Sequence, residues 1–312
     1  MNENLINSIK ASSVHKRVSG ELYNWVKPGY KLIDIVLYTE ESIKRDPILQ
    51  GHKNDGLAFP VGVSVNNCVA HYTPNQKEES YILRESDIIK IDFGVHYAGS
   101  IIDSAFTLYF DDKYEQFINI SKDLTNFMVS RSGPDVILGE LGGEVDEYVA
   151  SMEIELDNKT IPLTVMKDLS GHKILPYIIH AGKAVPNTRI DYPLRMEVGE
   201  FYAIEPFLTT GKGKSILKGP TSHYSLNINH NRILTTKESK AFNYIYNKFN
   251  TLPFCERWLD GNRDNLDRMV KRKIINDYPP IYDIDNSIVS QFEHTVFIRD
   301  NGVLKLTNNS NY

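Results

Sequence analysis

Residues 87–110, DIIKIDFGVHYAGSIIDSAFTLYF, decide the fold of this chain. Apolar and polar residues alternate along IKIDF at 89–93, and again along IDSAFTL at 102–108. A period of two is typical of a β-strand whose two faces meet different surroundings. Because only a short segment from His96 to Gly99 separates the two runs, the sequence predicts an antiparallel hairpin.

Two aspartates, Asp92 and Asp103, lie 11 residues apart on facing strands of this hairpin. A carboxylate in a strand rich in Ile, Phe and Ala is costly to bury unless it is paired or binds a metal. Either aspartate alone is most simply explained as a solvent-facing strand residue. Two of them, in IKIDFG and IIDSAF, can point at a common spot, and this favours a shared site.

Helical and strand patterns alternate on both sides of the hairpin. Helices are predicted where apolar residues recur every three to four positions, and strands where short apolar runs are bounded by turn residues. We predict helices at 4–26, 32–47, 112–130, 138–152, 236–249 and 263–275, and strands within 56–74 and 161–207, at 292–298 and at 303–307. The strands within 161–207 are expected to include the apolar runs 177–179 and 201–204. Since no linker rich in Gly, Ser or Pro separates these elements, we expect one α+β domain over residues 1–312.

Composition and charge exclude several functional classes. The 312 residues are 41% hydrophobic, enough for a sizeable core, and the formal net charge of −5 leaves no basic footprint for nucleic acid. Cys68 and Cys255 are far apart and form no CxxC motif, as expected for reduced thiols in a cytoplasmic protein. Residues 1–38 interleave polar and apolar residues, so we predict neither a signal peptide nor a membrane partner.

Further metal-ligand residue types occur in apolar or glycine-flanked settings of the second half. They are His172 in SGHKI, His180 in YIIHAG, Glu205 in YAIEPF and Glu293 in QFEHTV. Each alone is most often a satisfied core histidine or a glutamate at a strand edge. Together with the two aspartates they form an oxygen-rich set, which suits a pair of divalent metals better than one structural zinc.

These segments of the sequence resemble those of a known family. The segments FPVGVSVNNCVAHYTP, KIDFG, IIDSAFT, GHK, IIHAG, AIEPF and QFEHTV are similar to those of the type 2 methionine aminopeptidases, which share the pita-bread fold with prolidase and creatinase. The resemblance extends from about Val14 to Tyr312. Glu205 and Glu293 are 88 residues apart, and residues 222–278 between them resemble the helical insertion of type 2 enzymes. This spacing excludes the type 1 enzymes and disfavours prolidase.

The resemblance implies a ligand for every position of a dinuclear metal site. Asp92 would chelate one metal, Asp103 and Glu293 would bridge both, and His172 and Glu205 would hold the other. Two divalent ions are therefore expected, and Co, Mn, Fe and Zn all tolerate such a site. A hydroxide shared by the two ions is the expected nucleophile.

The resemblance also implies roles for residues around the metals. His71 and His180 are expected to contact the substrate, with His180 steadying the oxyanion and Glu205 handling the proton. The candidates for the methionine pocket are Phe59, Ile179, His223 and Tyr278. Ser170 replaces the asparagine usual before Gly-His, and residues 173–176 also differ from the eukaryotic sequence of the same loop. These departures concern the rim of the site rather than its metal ligands.

The implied activity is removal of the initiator methionine when the second residue is Gly, Ala, Ser, Thr, Val, Cys or Pro. The expected partners are the N-termini of nascent polypeptides, with transient ribosome association, and the enzyme is expected to be a monomer. The sequence lacks the long charged N-terminal extension of the eukaryotic enzymes, so the resemblance does not imply ribosome docking through that segment. Two alternatives remain: a non-catalytic interaction protein on the same fold, and an Xaa-Pro metallopeptidase.

Overall fold

The structure is a computed structural model that describes residues 2–51, 54–75, 81–260 and 265–307. Six α-helices occur in these ranges: α1 Glu3–Trp25, α2 Leu32–Lys44, α3 Glu115–Arg131, α4 Leu138–Val149, α5 Thr236–Phe249 and α6 Leu266–Lys271. The strands of the first half are β1 Gly56–Leu57, β2 Gly62–Val65, β3 Cys68–Ala70, β4 Ile88–Tyr97 and β5 Ser100–Tyr109. Those of the middle are β6 Glu153–Leu156, β7 Lys159–Pro162, β8 Thr164–Val165, β9 Ser170–Ile174, β10 Ala184–Pro186, β11 Phe201–Ile204 and β12 Phe207–Thr209. The remaining strands are β13 Ile216–Leu217, β14 His223–Leu226, β15 Ile275–Tyr278, β16 Ile281–Tyr282, β17 Val289–Gln291, β18 His294–Arg299 and β19 Gly302–Lys305.

The predicted hairpin is confirmed as β4 and β5, which pair antiparallel along ten residues. Asp92 pairs with Ala105 and Asp103 pairs with Gly94, so the two aspartates are diagonal neighbours on adjacent strands, offset by two residues. Strands β1 and β2 pair with the other edge of β4. Because side chains alternate between the two faces of a sheet, this offset of the aspartates places both acidic side chains on the same face, as the sequence predicted.

In the second half of the chain, two paired extended segments are each interrupted, and the two interruptions lie opposite each other. Strands β11 and β18 pair up to Ile204 opposite His294, and β12 and β17 resume with Phe207 opposite Gln291. One interruption holds Glu205 and Pro206; proline has no N–H to offer a ladder. The other holds Glu293, whose N–H instead donates to the carbonyl of Ala105 on β5. The interruptions thus free both glutamates from the regular pleat.

Helices cover the sheets and build one large apolar core. The predicted helix α1 is confirmed, and its side chains at Val14, Val18 and Leu22 are fully buried, in the same core cluster as residues of β4 and β5. Helices α3 and α4 pack against each other, α3 also against β17 and α4 also against β10. No helix in the described ranges has both the length and the apolar character that crossing a membrane requires.

Residues 222–278 contain β14, α5, α6 and β15, with residues 261–264 outside the described ranges. Strands β14 and β15 pair antiparallel, so His223 lies opposite Tyr278 where the segment leaves and rejoins the rest of the chain. We call this strand pair the neck. Apolar side chains of the segment form a cluster of their own: Tyr224, Leu226, Ile245, Phe254, Leu259, Leu266, Met269, Ile274 and Ile275.

Two secondary-structure predictions are wrong. Residues 177–179 form a tight turn instead of a strand, because Tyr177 adopts a φ of +61° after Pro176 and only an isolated bridge joins Leu175 to Ile178. The helix predicted at 263–275 ends earlier, at Lys271. Lys273 has a φ of +56°, which no α-helix accommodates, and Ile275 already belongs to β15. The predicted start of this helix at Arg263 lies outside the described residues.

Candidate metal centre

Acidic and imidazole side chains from separate strands converge below the hairpin. One ligand atom from each of Asp103, His172 and Glu293 lies within 4.8 Å of the others. His172 Nε2 is 3.6 Å from Asp103 Oδ2 and 3.4 Å from Glu205 Oε1. The residues come from β5, β9 and the two interruptions, so only the assembled fold brings them together.

Small neighbours make room for the imidazole of His172. On β9, His172 lies opposite Ala184 of β10 and Ala203 of β11. Gly171 lies so close to the carbonyl of Ala203 that a Cβ there would clash with it. The glycine in SGHKI therefore allows the close approach of β9 to β11 that brings His172 to the carboxylates.

Gln291 is a member of this cluster that the sequence analysis did not single out. Its Nε2 lies 3.3 Å from Glu205 Oε2 and 3.3 Å from Glu293 Oε2, and it also hydrogen-bonds Asp92. The amide is a neutral donor among acceptors. No local pattern identifies it in the sequence, because an amide is an ordinary residue at a strand end and its partners come from distant parts of the chain.

Mutual repulsion and burial disfavour the charged forms of these carboxylates. Burial raises the pKa of Asp92 to about 7. Burial first, and then the charge of neighbouring carboxylates, raise the pKa of Asp103, Glu205 and Glu293 well above the usual range. A bound cation removes both penalties at once, because it neutralises the charges and replaces the lost water.

Two oxygens of the cluster have unused acceptor capacity. Asp92 Oδ1 and Glu293 Oε1 are buried and have no hydrogen-bond partner within the described part of the chain. Buried polar atoms without hydrogen-bond partners are uncommon in proteins, and here they indicate that the two oxygens are free to bind a metal ion. Carboxylate oxygens with one imidazole suit Mn, Fe, Co or Zn. The residues present therefore fit divalent cations.

Histidines line the approach to the cluster. The ring of His180 meets that of His172 edge-on with centroids 4.2 Å apart, and His180 is exposed to solvent. His71 is half-buried in a strained backbone conformation with a φ of +62°, and its carbonyl accepts a hydrogen bond from Ser222 Oγ. The surrounding protein and the nearby His180 lower the pKa of His71 to about 4, so the ring is neutral at pH 7.

The structure brings His223 and Tyr278 of the neck beside His71. Their ring centroids lie 5.8 Å and 6.0 Å from that of His71. Both nitrogens of His223 are engaged, one by Ser222 Oγ and the other by the carbonyl of Pro60. Tyr278 Oη is hydrogen-bonded to Ser225 Oγ. Both rings are thus fixed in orientation and offer apolar surface rather than free polar groups.

The other two pocket candidates lie on different elements. Phe59 packs so tightly against Gly94 of β4 that any Cβ on Gly94 would clash with its ring. Ile179 directly precedes His180 in the turn after β9, and its main chain is hydrogen-bonded to His172. The loop between β1 and β2, the turn after β9 and the neck each supply part of the proposed pocket wall.

The chain is similar in sequence to metallopeptidases and similar in fold to several solved structures. The model of metallopeptidase family M24 matches residues 8–236. Methionine aminopeptidase 2 of Encephalitozoon intestinalis is 36% identical over 311 residues, covering 97% of this chain and 86% of that protein. Methionine aminopeptidase 2 of Komagataella phaffii is 39% identical over 302 residues, covering 94% and 67%. Among solved structures, a thermophilic Arx1 shares the fold with a TM-score of 0.81 at 19% identity, covering 98% of this chain and 91% of that one.

Proposed function

Because the chain belongs to metallopeptidase family M24, and within it to the methionine aminopeptidase 2 group, we propose that it works with two divalent cations bound in the cluster below the hairpin. The chain is a metal-dependent methionine aminopeptidase with a pita-bread fold. The observation that carries the two-cation proposal is a set of four carboxylates, three buried and that of Asp92 partly buried, with two unpartnered oxygens. The proposed ligands are Asp92, Asp103, His172, Glu205 and Glu293.

The donor set divides naturally between two positions. Asp103 and Glu293 each have a ligand atom within 4.8 Å of one on His172 and would bridge the two ions. Asp92 would bind one ion and Glu205, whose Oε1 is 3.4 Å from His172 Nε2, the other, and the Gln291 amide contacts both of these carboxylates. A pair of divalent cations, when bound, acidifies a water molecule enough for it to act as a nucleophile at neutral pH. We assign the proton transfer to Glu205, whose Oε1 lies 3.4 Å from Nε2 of His172.

The two approach histidines are the proposed substrate contacts. His180 is exposed and adjacent to His172, where it can donate a hydrogen bond to the oxygen that develops negative charge. His71 is neutral, so it contacts the scissile amide through a hydrogen bond and not as a cation. Its strained backbone is held by Ser222 from the start of the insertion, which links substrate contact to the neck.

We assign the methionine side chain to the pocket walled by Phe59, Ile179, His223 and Tyr278. Methionine is unbranched and polarizable, so it enters a narrow apolar slot that a β-branched or charged side chain enters only with strain or desolvation. Residues 222–278 act as the helical insertion that closes one wall. The residue after methionine is limited to Gly, Ala, Ser, Thr, Val, Cys or Pro.

The proposed setting is the cytoplasm, where the substrates are nascent chains and the enzyme is a monomer. Cys68 and Cys255 are buried free thiols, which suits a reducing compartment. Transient ribosome association stays a prediction.

The test combines metal content with peptide cleavage. Protein purified without added metal, then loaded with Mn or Co, should hold two ions per chain and release methionine from Met-Ala-Ser. Release of the first residue from Xaa-Pro peptides at a higher rate would identify an Xaa-Pro enzyme instead. Protein that binds no divalent cation and cleaves neither peptide would be a non-catalytic protein on this fold.

A further inference from the structure

Strand β5 runs beside residues 291–295, but side-chain hydroxyls, rather than main-chain groups alone, make most of the hydrogen bonds between them. Thr107 Oγ1 donates to the carbonyl of Gln291 at 2.8 Å and accepts from the N–H of Gln291 at 2.9 Å. One hydroxyl therefore replaces both hydrogen bonds that a neighbouring strand would make with Gln291. It does so at the residue whose amide binds the carboxylates of Glu205 and Glu293.

The same device occurs in the opposite direction at the other end of the contact. Thr295 Oγ1 donates to the carbonyl of Asp103 at 2.6 Å and accepts from the N–H of Asp103 at 2.8 Å. Here the threonine comes from the second half of the chain and the residue it holds comes from the hairpin. The two threonines are thus reciprocal.

Glu293 is held midway between the two threonines. Its N–H donates to the carbonyl of Ala105 at 3.0 Å, and its carbonyl accepts from Ser104 Oγ. Successive contacts advance by two residues along β5 and retreat by two residues along 291–295, which is an antiparallel register. We call Ser104, Thr107 and Thr295 the hydroxyl seam.

The hydroxyl seam joins the two proposed bridging ligands, which come from different halves of the chain. Asp103 lies on the hairpin and Glu293 in the strand interruption, and five bonds of the seam end on the main chain of Asp103, Glu293 or Gln291. Thr107 Oγ1 also accepts a hydrogen bond from Ser290 Oγ. The three hydroxyls are at most 1% exposed, so water does not compete for these bonds. Loss of a hydroxyl would leave main-chain groups buried without partners.

We propose that the hydroxyl seam sets the spacing of the Asp103 and Glu293 carboxylates, and through it the affinity for the more weakly held of two cations. The inference rests on the proposed function, because it assumes that both carboxylates bind the same pair of ions. The seam residues are positioning residues, and no step of the reaction involves them. Outer-shell partners of metal ligands commonly change metal affinity by about 10–100-fold when removed.

The variants separate the hydroxyl from the shape of the side chain. Thr295→Val keeps the volume and removes the hydroxyl, whereas Thr295→Ser keeps the hydroxyl and removes the methyl group. Thr107→Val tests the reciprocal position, and it serves alone if Thr295→Val does not fold. The matched control is Thr39→Val, since Thr39 is also fully buried and its hydroxyl bonds the carbonyl of Ile35 within α2.

The experiment is calorimetric titration of each metal-free protein with Mn(II), together with its thermal midpoint. We expect two ions per wild-type chain, and in Thr295→Val and Thr107→Val a loss of about 10–100-fold in affinity at the weaker site. Thr295→Ser should retain wild-type affinity. Thr39→Val should lower the thermal midpoint to a similar extent as the seam variants without changing metal affinity.

Two outcomes would overturn different statements. If the valine variants bound both ions as wild type does, the hydroxyl seam would be a structural feature only, and the two-cation function would stand. Equal losses of affinity in Thr295→Val and Thr295→Ser would assign the effect to packing and reject the role of the hydroxyl. A wild-type chain that took up no Mn(II) would reject the proposed function and this inference together.

Discussion

The hairpin and the neck both place functional side chains, but they are fixed to very different degrees. The hairpin has ten residues in each strand, and only Asp92 and Tyr109 among them are not fully buried. The neck has four residues in each strand, and it leads into a segment with a separate apolar cluster. Two of the proposed ligands, Asp92 and Asp103, lie on the first, whereas two of the proposed pocket residues, His223 and Tyr278, lie on the second.

The largest expected effect comes from the hairpin, in the variant Asp103→Ala. Its carboxylate is a proposed bridge, so both ions lose a ligand and activity on Met-Ala-Ser should fall to background. Metal content measured by mass spectrometry should fall with it. Retention of two ions and a normal rate would contradict the assignment of Asp103 as a ligand.

The stability of the metal-free Asp103→Ala variant separates chemistry from folding. Burial, and after it the charge of Asp92, raises the pKa of Asp103, so removal of this carboxylate relieves a desolvation penalty and a repulsion. Its main chain keeps both bonds to Thr295 Oγ1. We therefore expect a thermal midpoint no lower than that of metal-free wild type, and a clear decrease would mean that the loss of activity is a folding defect.

The second effect concerns His71, which lies between the two regions. His71→Ala should keep two ions and lose about 100- to 1,000-fold in kcat/KM, the usual cost of removing one positioned hydrogen-bond donor. His230→Ala is a suitable control, because His230 lies beside Phe242 of the insertion. Loss of metal in His71→Ala would make His71 a ligand and would place it with the hairpin side of the comparison.

The same contrast explains what the sequence could predict. The hairpin, α1 to α5 and the final strand pair follow from local periodicity, which reports burial of one face directly. The turn at 177–179 could not be predicted, since its apolar residues suit a strand and only the backbone conformation after Pro176 excludes one. The end of α6 was overestimated for a related reason: the positive φ at Lys273 reflects the tertiary pairing of β15 with β14.

The site was predictable where residue type alone indicates chemistry. Carboxylates and histidines in apolar strands stand out, and the structure brings Asp103, His172 and Glu293 within ligand distance of each other. Gln291 and Thr295 did not stand out, because amides and hydroxyls are ordinary strand residues. Their importance depends on partners from the other half of the chain, and such contacts leave no local pattern.

The third effect belongs to the neck. Tyr278 lies beside His71 and is assigned to the methionine pocket, so Tyr278→Ala should weaken selection at the first residue and raise cleavage of Leu-Ala-Ser relative to Met-Ala-Ser. Discrimination of one methylene is worth roughly 1–3 kcal/mol, or about 10- to 200-fold in kcat/KM. Peptides Met-Gly, Met-Ala, Met-Ser, Met-Thr and Met-Val should be cut by wild type, and Met-Lys, Met-Leu and Met-Phe should not.

Tyr278→Phe is the matched control for this variant. It keeps the ring and loses only the hydrogen bond to Ser225, so selectivity should stay close to wild type. Equal cleavage of Met-Ala-Ser and Leu-Ala-Ser by the unaltered enzyme would show a broad aminopeptidase. In that case the neck would have no part in selection, and the comparison between the two regions would fail.

The smallest effect tests whether the insertion is as independent as its separate cluster indicates. Helix α5 begins with a capping box, in which Thr235 Oγ1 accepts from the N–H of Glu238 and Glu238 Oε2 accepts from the N–H of Thr235. Thr235→Ala should cost about 1 kcal/mol, and Thr235→Ser should restore it. If the insertion opens by itself, amide hydrogen exchange should rise by roughly fivefold along α5 and stay unchanged along β4 and β5. Activity on Met-Ala-Ser should also be unchanged. Faster exchange in the hairpin amides as well would mean that both regions open as one unit, so that substrate selection and metal binding share a single stability.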